Sequence, residues 1–160
     1  MDDRIETASD TAVIVRWMIR RHLPQVLEIE QSSFEFPWSE DEYRSHLTQR
    51  NCIGMVAEIG DEVVGAMVYE LHKTRLRVTN FVVSPSHRRR GIGTEMVAKL
   101  VQKMSQQRRE EIVLDVRETN LAAQLFFRSQ GFQCIDVIQG MYEETSEDAY
   151  RMSLLAKDEQ

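Results

Sequence analysis

Residues 84–96 read SPSHRRRGIGTEM, which sets His87, Arg88, Arg89 and Arg90 beside Gly91 and Gly93. The run before it, RLRVTNFVV (75–83), alternates like a strand. The residues after it, Ile92, Met96, Val97, Leu100, Val101 and Met104, recur at the spacing of a helix with one buried face. A turn between strand and helix points several backbone N–H groups at one spot, and its glycines let an anion approach the main chain. The positive helix end and the arginines add attraction. The chemistry is the holding of a phosphate or diphosphate; a solvated turn is the plain alternative. A nucleoside triphosphate loop is excluded, because Thr94 and Glu95 follow Gly93 and no lysine is in place. A dinucleotide turn fails at Met96, where a third glycine is needed, and because the preceding strand belongs to an antiparallel run.

A second group able to do chemistry is Asp115. In EIVLDV it alternates with Ile112, Leu114 and Val116, so its carboxylate lies on the face opposite three apolar side chains. It is then buried, paired with Arg117 or another arginine, or turned toward a site. Asn120 and Phe127 stand seven apart in NLAAQLFFRSQ, on one helix face and about 10 Å apart along it. Asn120 also suits a helix N-cap.

The rest of the chain must position these residues. AVIVRWMIRR (12–21) reads as a strand and HLPQVLEIEQSSF as a helix with Leu23, Val26, Leu27 and Glu30 at helical spacing. Ser39 with Glu42 three residues on predicts a second helix carrying Tyr43 and Leu47. CIGMVAEI and VVGAMVYEL, joined at GDE, predict an antiparallel hairpin, and FQCIDVI and EDAYRMSLL predict two closing strands, with Gly131 stopping the helix before them. Too many strands occur for a regular βαβ repeat, so the expected class is α/β with a mixed, mostly antiparallel sheet and helices on its faces.

With 160 residues, 42% of them hydrophobic, the chain suits a single domain over 1–160, with a polar start over 1–11 and a solvated tail over 156–160. Twenty basic against 26 acidic residues, a net charge of −6, argues against broad nucleic-acid binding. Cys52 and Cys134 show no paired spacing and read as reduced core thiols, with no metal site expected. No export signal or membrane-length apolar run is seen, which predicts a cytoplasmic protein without a membrane partner.

The motif Arg88-x-x-Gly91-x-Gly93 after VVSP resembles the acetyl-CoA pyrophosphate loop of the GNAT N-acetyltransferases, and LDVRETNLAAQLFFRSQGF (114–132) is similar to the strand, asparagine and helix that line the pantetheine arm in that family. The resemblance covers roughly residues 12–155. FPWS (36–39) with DVRETNLAA looks most like the RimI type, which acetylates the N-terminal alanine of a small-subunit ribosomal protein. It implies acetyl-CoA as co-substrate. Arg88, Arg89, Arg90, Gly91, Ile92, Gly93 and Thr94 would hold the pyrophosphate; Phe81, Val82 and Val83 would pair their main chain with the pantetheine, one N–H polarising the thioester carbonyl. Asn120 would bond the cofactor arm.

The resemblance places a glutamate base where this chain has Asp115, which implies a shorter base acting through water. Phe127 stands where most of the family has a tyrosine that protonates the departing thiolate, and phenylalanine donates no proton. Tyr142, in the loop before the last strand, is a candidate substitute, as is an ordered water. The implied acceptor is a protein N-terminal amine, since an α-amino group titrates near 8 and sheds its proton readily. A small amine acceptor and a regulatory module that senses CoA esters are the alternatives. Acceptor selection is expected from the carboxylate-rich YEETSED (142–148) and from Phe34, Phe36 and Trp38, in a monomer or homodimer.

Overall fold

A computed structural model describes residues 12–157. The polar start at 1–11 and the last three residues of the tail lie outside the described residues.

Strand β1 (Val13–Trp17) leads through a 3-10 turn at Arg20–His22 into helix α1 (Leu23–Ser33). Pro24 sits in the first turn of α1, where its missing N–H costs no helical bond. Leu23, Val26, Ile29 and Glu30 form its buried face. Helix α2 (Glu40–Leu47) opens on the expected capping box: Glu42 N–H donates to Ser39 Oγ at 3.1 Å and Ser39 N–H to Glu42 Oε1 at 3.3 Å. Such a cap contributes about 1 kcal/mol and fixes where the helix begins. There follow β2 (Cys52–Ile59), β3 (Glu62–Leu71), β4 (Arg75–Val83), α3 (Ile92–Gln106), β5 (Glu111–Arg117), α4 (Leu121–Ser129), β6 (Gln133–Tyr142) and β7 (Glu147–Leu155).

The strands form one seven-stranded sheet in the order β1-β2-β3-β4-β5-β7-β6. β1 pairs antiparallel with β2, and β7 pairs antiparallel with both β5 and β6. β4 and β5 are parallel, in register from Arg75–Glu111 to Val78–Leu114. A parallel pair needs a crossover, and α3 is that connection. The mixed, mostly antiparallel sheet is the architecture that the strand count predicts.

The chain divides into two compact units, one holding the residues up to Tyr69 together with Asn80–Lys99, the other Glu70–Thr79 with the residues from Leu100 onward. In the first, Leu23, Val26, Ile29 and Tyr43 bury against Val56, Val63, Ala66, Val68 and Val82, with Phe34, Trp38 and Leu47 packed around them. Gly65 is a point of close approach here: a Cβ on it would lie 2.9 Å from Met96 Sδ and 3.1 Å from the Val82 carbonyl oxygen. In the second, buried Leu76 lies opposite Ile112 across β4 and β5, and buried Leu114 opposite Met152 across β5 and β7.

Two expectations change. Cys134 is not a core thiol but exposed, because β6 is the outermost strand on its side of the sheet and exposes nearly its whole length; Cys52 is half-buried, its thiol donating to Gln49 Oε1 at 3.6 Å. Tyr142 belongs to the end of β6 and pairs with Glu147, so it is a strand residue and not a loop residue. Among the described residues no helix is long and apolar enough to cross a membrane.

Candidate active site

The basic turn combines backbone and charge features that suit an anion. A 3-10 turn at Pro85–His87 ends β4, and the backbone then takes positive φ at Arg89 (67°) and again at Gly91 (77°), on either side of Arg90. Alternation of this kind turns successive N–H groups toward one side. Arg89 holds the left-handed conformation without being glycine, a cost of about 1–2 kcal/mol that ordinary turns avoid. Ile92, fully buried, anchors the first turn of α3, which carries Gly93 and Thr94. Arg88, Arg89 and Arg90 are all exposed, and among the described residues none of the three has an acidic partner. Three unneutralised cations beside turned-out amides fit a diphosphate.

Strand β4 presents its amides alternately to its two sides. Ser84 N–H donates to Val64 O of β3 at 2.8 Å, and the Val82 carbonyl also faces Gly65 of β3. The N–H of Val82 therefore faces β3, and those of Phe81 and Val83 face the other way. Of the three residues expected to offer their main chain, Val82 also packs its side chain into the core. Phe81 N–H already donates to the Asn80 side chain, Oδ1 at 3.0 Å.

In the second unit, Asp115 is held by two arginines. Arg77 Nη2 reaches Oδ2 at 2.7 Å, and Arg151, its cross-strand neighbour, reaches Oδ1 through Nε at 2.9 Å and Oδ2 through Nη2 at 3.1 Å. The aspartate side chain is 4% exposed and each arginine 25%. Burial pushes the carboxyl up, but the hydrogen bonds and charges of Arg151 and Arg77 together outweigh it and hold Asp115 below the usual carboxylate range. The expected pairing with an arginine is thus made by Arg77 and Arg151, while the Arg117 side chain bonds Glu147 at 3.3 Å and lies over the Tyr142 ring, its guanidinium carbon 3.9 Å from the centroid. Burial raises the Tyr142 phenol, opposed by the Arg117 charge and helped by Asp115 and Glu147, so Tyr142 is protonated at neutral pH.

Asn120 caps α4, accepting the Ala123 N–H at 3.1 Å with Oδ1, so the capping reading is realised and only its Nδ2 remains to reach a ligand. Phe127 is 6% exposed, its ring edge-on to Phe126 and Phe132 at 5.0 and 5.4 Å. In the acidic hairpin after β6, Glu144 and Glu147 face Arg117, and Asp148 accepts the Gly140 N–H at 2.9 Å. Much of that negative charge is already engaged.

In the first unit, of the aromatic trio, Phe34 and Trp38 pack on the core whereas Phe36 is exposed. Sequence reasoning placed Glu30 only as a helix-face residue. It is 1% exposed, and its carboxylate accepts from Trp38 N–H at 3.0 Å, Tyr43 Oη at 2.6 Å and Asn80 Nδ2 at 2.8 Å. An acid among the apolar positions of an amphipathic helix was the available signal. Arg77 and Arg151 were missed for a different reason: only the strand register brings residues 77, 115 and 151 together.

Comparison with known proteins identifies the family. The model of the acetyltransferase (GNAT) family matches residues 23–132. The [ribosomal protein bS18]-alanine N-acetyltransferase of Escherichia coli K12 is 27% identical over 134 residues, covering 82% of this chain and 90% of that protein. Human N-alpha-acetyltransferase 30 is 28% identical over 134 residues, 80% of this chain but 37% of the longer human protein. The crystal structure of the ribosomal-protein-S18-alanine N-acetyltransferase from Escherichia coli superposes with a TM-score of 0.83 at 22% identity, covering 93% of this chain and 97% of that one.

Proposed function

Since this chain belongs to the GNAT acetyltransferase family and uses acetyl-CoA, we propose that it transfers the acetyl group to the α-amino group of a protein N-terminus, as the names of its relatives describe for them. The observation that carries the choice of acceptor is the double ion pair on Asp115. A carboxylate so stabilised has little appetite for a proton, so the acceptor must arrive largely deprotonated. At pH 7.4 about 30% of an α-amino group is neutral against about 0.1% of a lysine side chain, a roughly 300-fold advantage that needs no strong base.

Within this reading Arg88, Arg89 and Arg90 and the amides of residues 89–94 grip the diphosphate, and the β4 amides of Phe81 and Val83 lie along the pantetheine and the thioester carbonyl. Asn120 offers Nδ2 to the cofactor arm, and Phe127 packs beside it. Acetyl-CoA supplies an activated acyl group whose thiol, with a pKa near 8.5, departs readily. Asp115 holds Arg77 and Arg151 in place and takes up the acceptor proton only through water, while Tyr142 gives a proton to the leaving sulfur. An N-terminus emerging on a ribosomal protein would put the reaction in the cytoplasm.

The test is intact-mass analysis of peptides incubated with acetyl-CoA: free N-termini beginning with Ala, Ser or Met, the same peptides blocked at the α-amine but bearing lysine, and polyamines. Mass gain on free N-termini alone supports the reading. Gain on polyamines or lysine alone overturns it, and tight CoA binding with no transfer to anything turns it into the sensing module.

A further inference from the structure

The Glu30 network does more than fill space. Every partner of this buried carboxylate is a donor: Trp38 N–H to Oε2, Tyr43 Oη and Asn80 Nδ2 to Oε1. An apolar side chain of similar size would fill the site without the cost of taking a charge out of water, so the carboxylate's distinctive effect is orientation. Asn80 has one donor end and one acceptor end. With Nδ2 drawn to Glu30 at 2.8 Å and to Tyr43 Oη at 2.9 Å, Oδ1 must turn the other way, where it accepts Phe81 N–H at 3.0 Å.

That N–H lies on the side of β4 away from β3, where the proposed function sets the thioester. The Asn80 amide carbonyl is a neutral C=O acceptor, the same kind of group as the acetyl carbonyl. At the other end of the network, Glu30 Oε2 holds the backbone of Trp38, two residues from the exposed Phe36 in the turn between α1 and α2. One carboxylate therefore joins the turn that carries an exposed aromatic to the amide row of β4, all within the first unit.

We propose that Glu30 and Asn80 are positioning residues that link acceptor binding to thioester polarisation: Asn80 Oδ1 keeps Phe81 N–H aimed and occupied, and yields it to the acetyl carbonyl, while Glu30 ties that exchange to the Phe36–Trp38 turn against which the acceptor sits. This inference rests on the acetyl-transfer reading above.

The direct test is the backbone amide resonance of Phe81 in the wild-type protein, followed by ¹⁵N–¹H spectroscopy during titration with CoA and with acetyl-CoA. The resonance is expected to move with acetyl-CoA well beyond its movement with CoA, and Asn80→Ala to displace it in the free protein. In steady-state assays Asn80→Ala lowers kcat about tenfold with the CoA dissociation constant within twofold. Glu30→Gln sets an NH₂ against either Trp38 N–H or the Tyr43 and Asn80 donors, and raises the peptide KM about fivefold, again with CoA binding unchanged. Equal responses of the Phe81 amide to CoA and acetyl-CoA overturn the proposal even if both variants fail to fold, as do variants that change Tm alone. A wild type that binds acetyl-CoA but acetylates no amine instead sinks the acetyl-transfer reading, and this inference with it.

Discussion

Arg151 grips Asp115 with two nitrogens, Nε at 2.9 Å and Nη2 at 3.1 Å, from the position directly across the β5–β7 ladder. Removing the carboxylate leaves two half-buried guanidinium groups facing each other, so Asp115→Asn should cost about 3 kcal/mol in urea or thermal unfolding. The folded pKa of Asp115 is depressed, so its contribution is fully present above the unfolded value, about pH 4. It is lost as pH falls through the lower folded value. The stability gap between wild type and Asp115→Asn should stay flat from about pH 5 to 8 and close only in acid.

The same ion pair shapes the rate profile. If the acceptor amine sheds its proton largely on its own, kcat/KM for a peptide rises with an apparent pKa of about 8. Asp115→Asn should lower the plateau without moving that inflection. A wild-type inflection below about pH 6 that disappears in the variant would restore Asp115 as the principal base.

Gly91 adopts φ 77° with nothing within 4 Å of a Cβ placed on it, so its substitution tests backbone conformation alone. Gly91→Ala should cost about 1 kcal/mol and weaken CoA binding several-fold, while Gly91→Asn, which tolerates the left-handed region, should recover part of the loss. Calorimetry with CoA reads both. Replacing Arg88, Arg89 and Arg90 together by Gln should weaken CoA at least tenfold and flatten the dependence of binding on salt.

Tyr142→Phe keeps the ring beneath Arg117 and removes only the hydroxyl. Loss of a proton donor to sulfur should lower kcat about tenfold with the acetyl-CoA KM unchanged, a smaller penalty than general acids usually carry because a thiolate leaves without much help. Phe127→Tyr should raise kcat by less than about tenfold. A rise from near zero to substantial turnover would favour the CoA-sensing module.

The elements were legible because local chemistry announces them: Ser39 with Glu42 fixes the start of α2, Gly131 at φ 100° ends α4, and the change from alternating to helical period brackets the basic turn. That turn needs only contiguous residues, so its candidate site could be read directly. The surroundings of Asp115 could not, since its partners are 38 and 36 residues away and neither Arg77 nor Arg151 differs in sequence from any solvent-facing strand arginine. Cys134 was misjudged for a related reason: an apolar strand sequence does not say which strand ends the sheet. The direction of the Val82 N–H was not legible either, since it follows from the bond between Ser84 and Val64.

The missing side chain at Gly65 acts as a gauge. Were a methyl group added, the Met96 thioether could swing aside, but the Val82 carbonyl at 3.1 Å is main chain and would have to shift with its strand. The diphosphate grip at the head of α3 and the amides of β4 would then drift out of step. A lesion remote from every reacting atom would thus surface in the assay as affinity and turnover failing together.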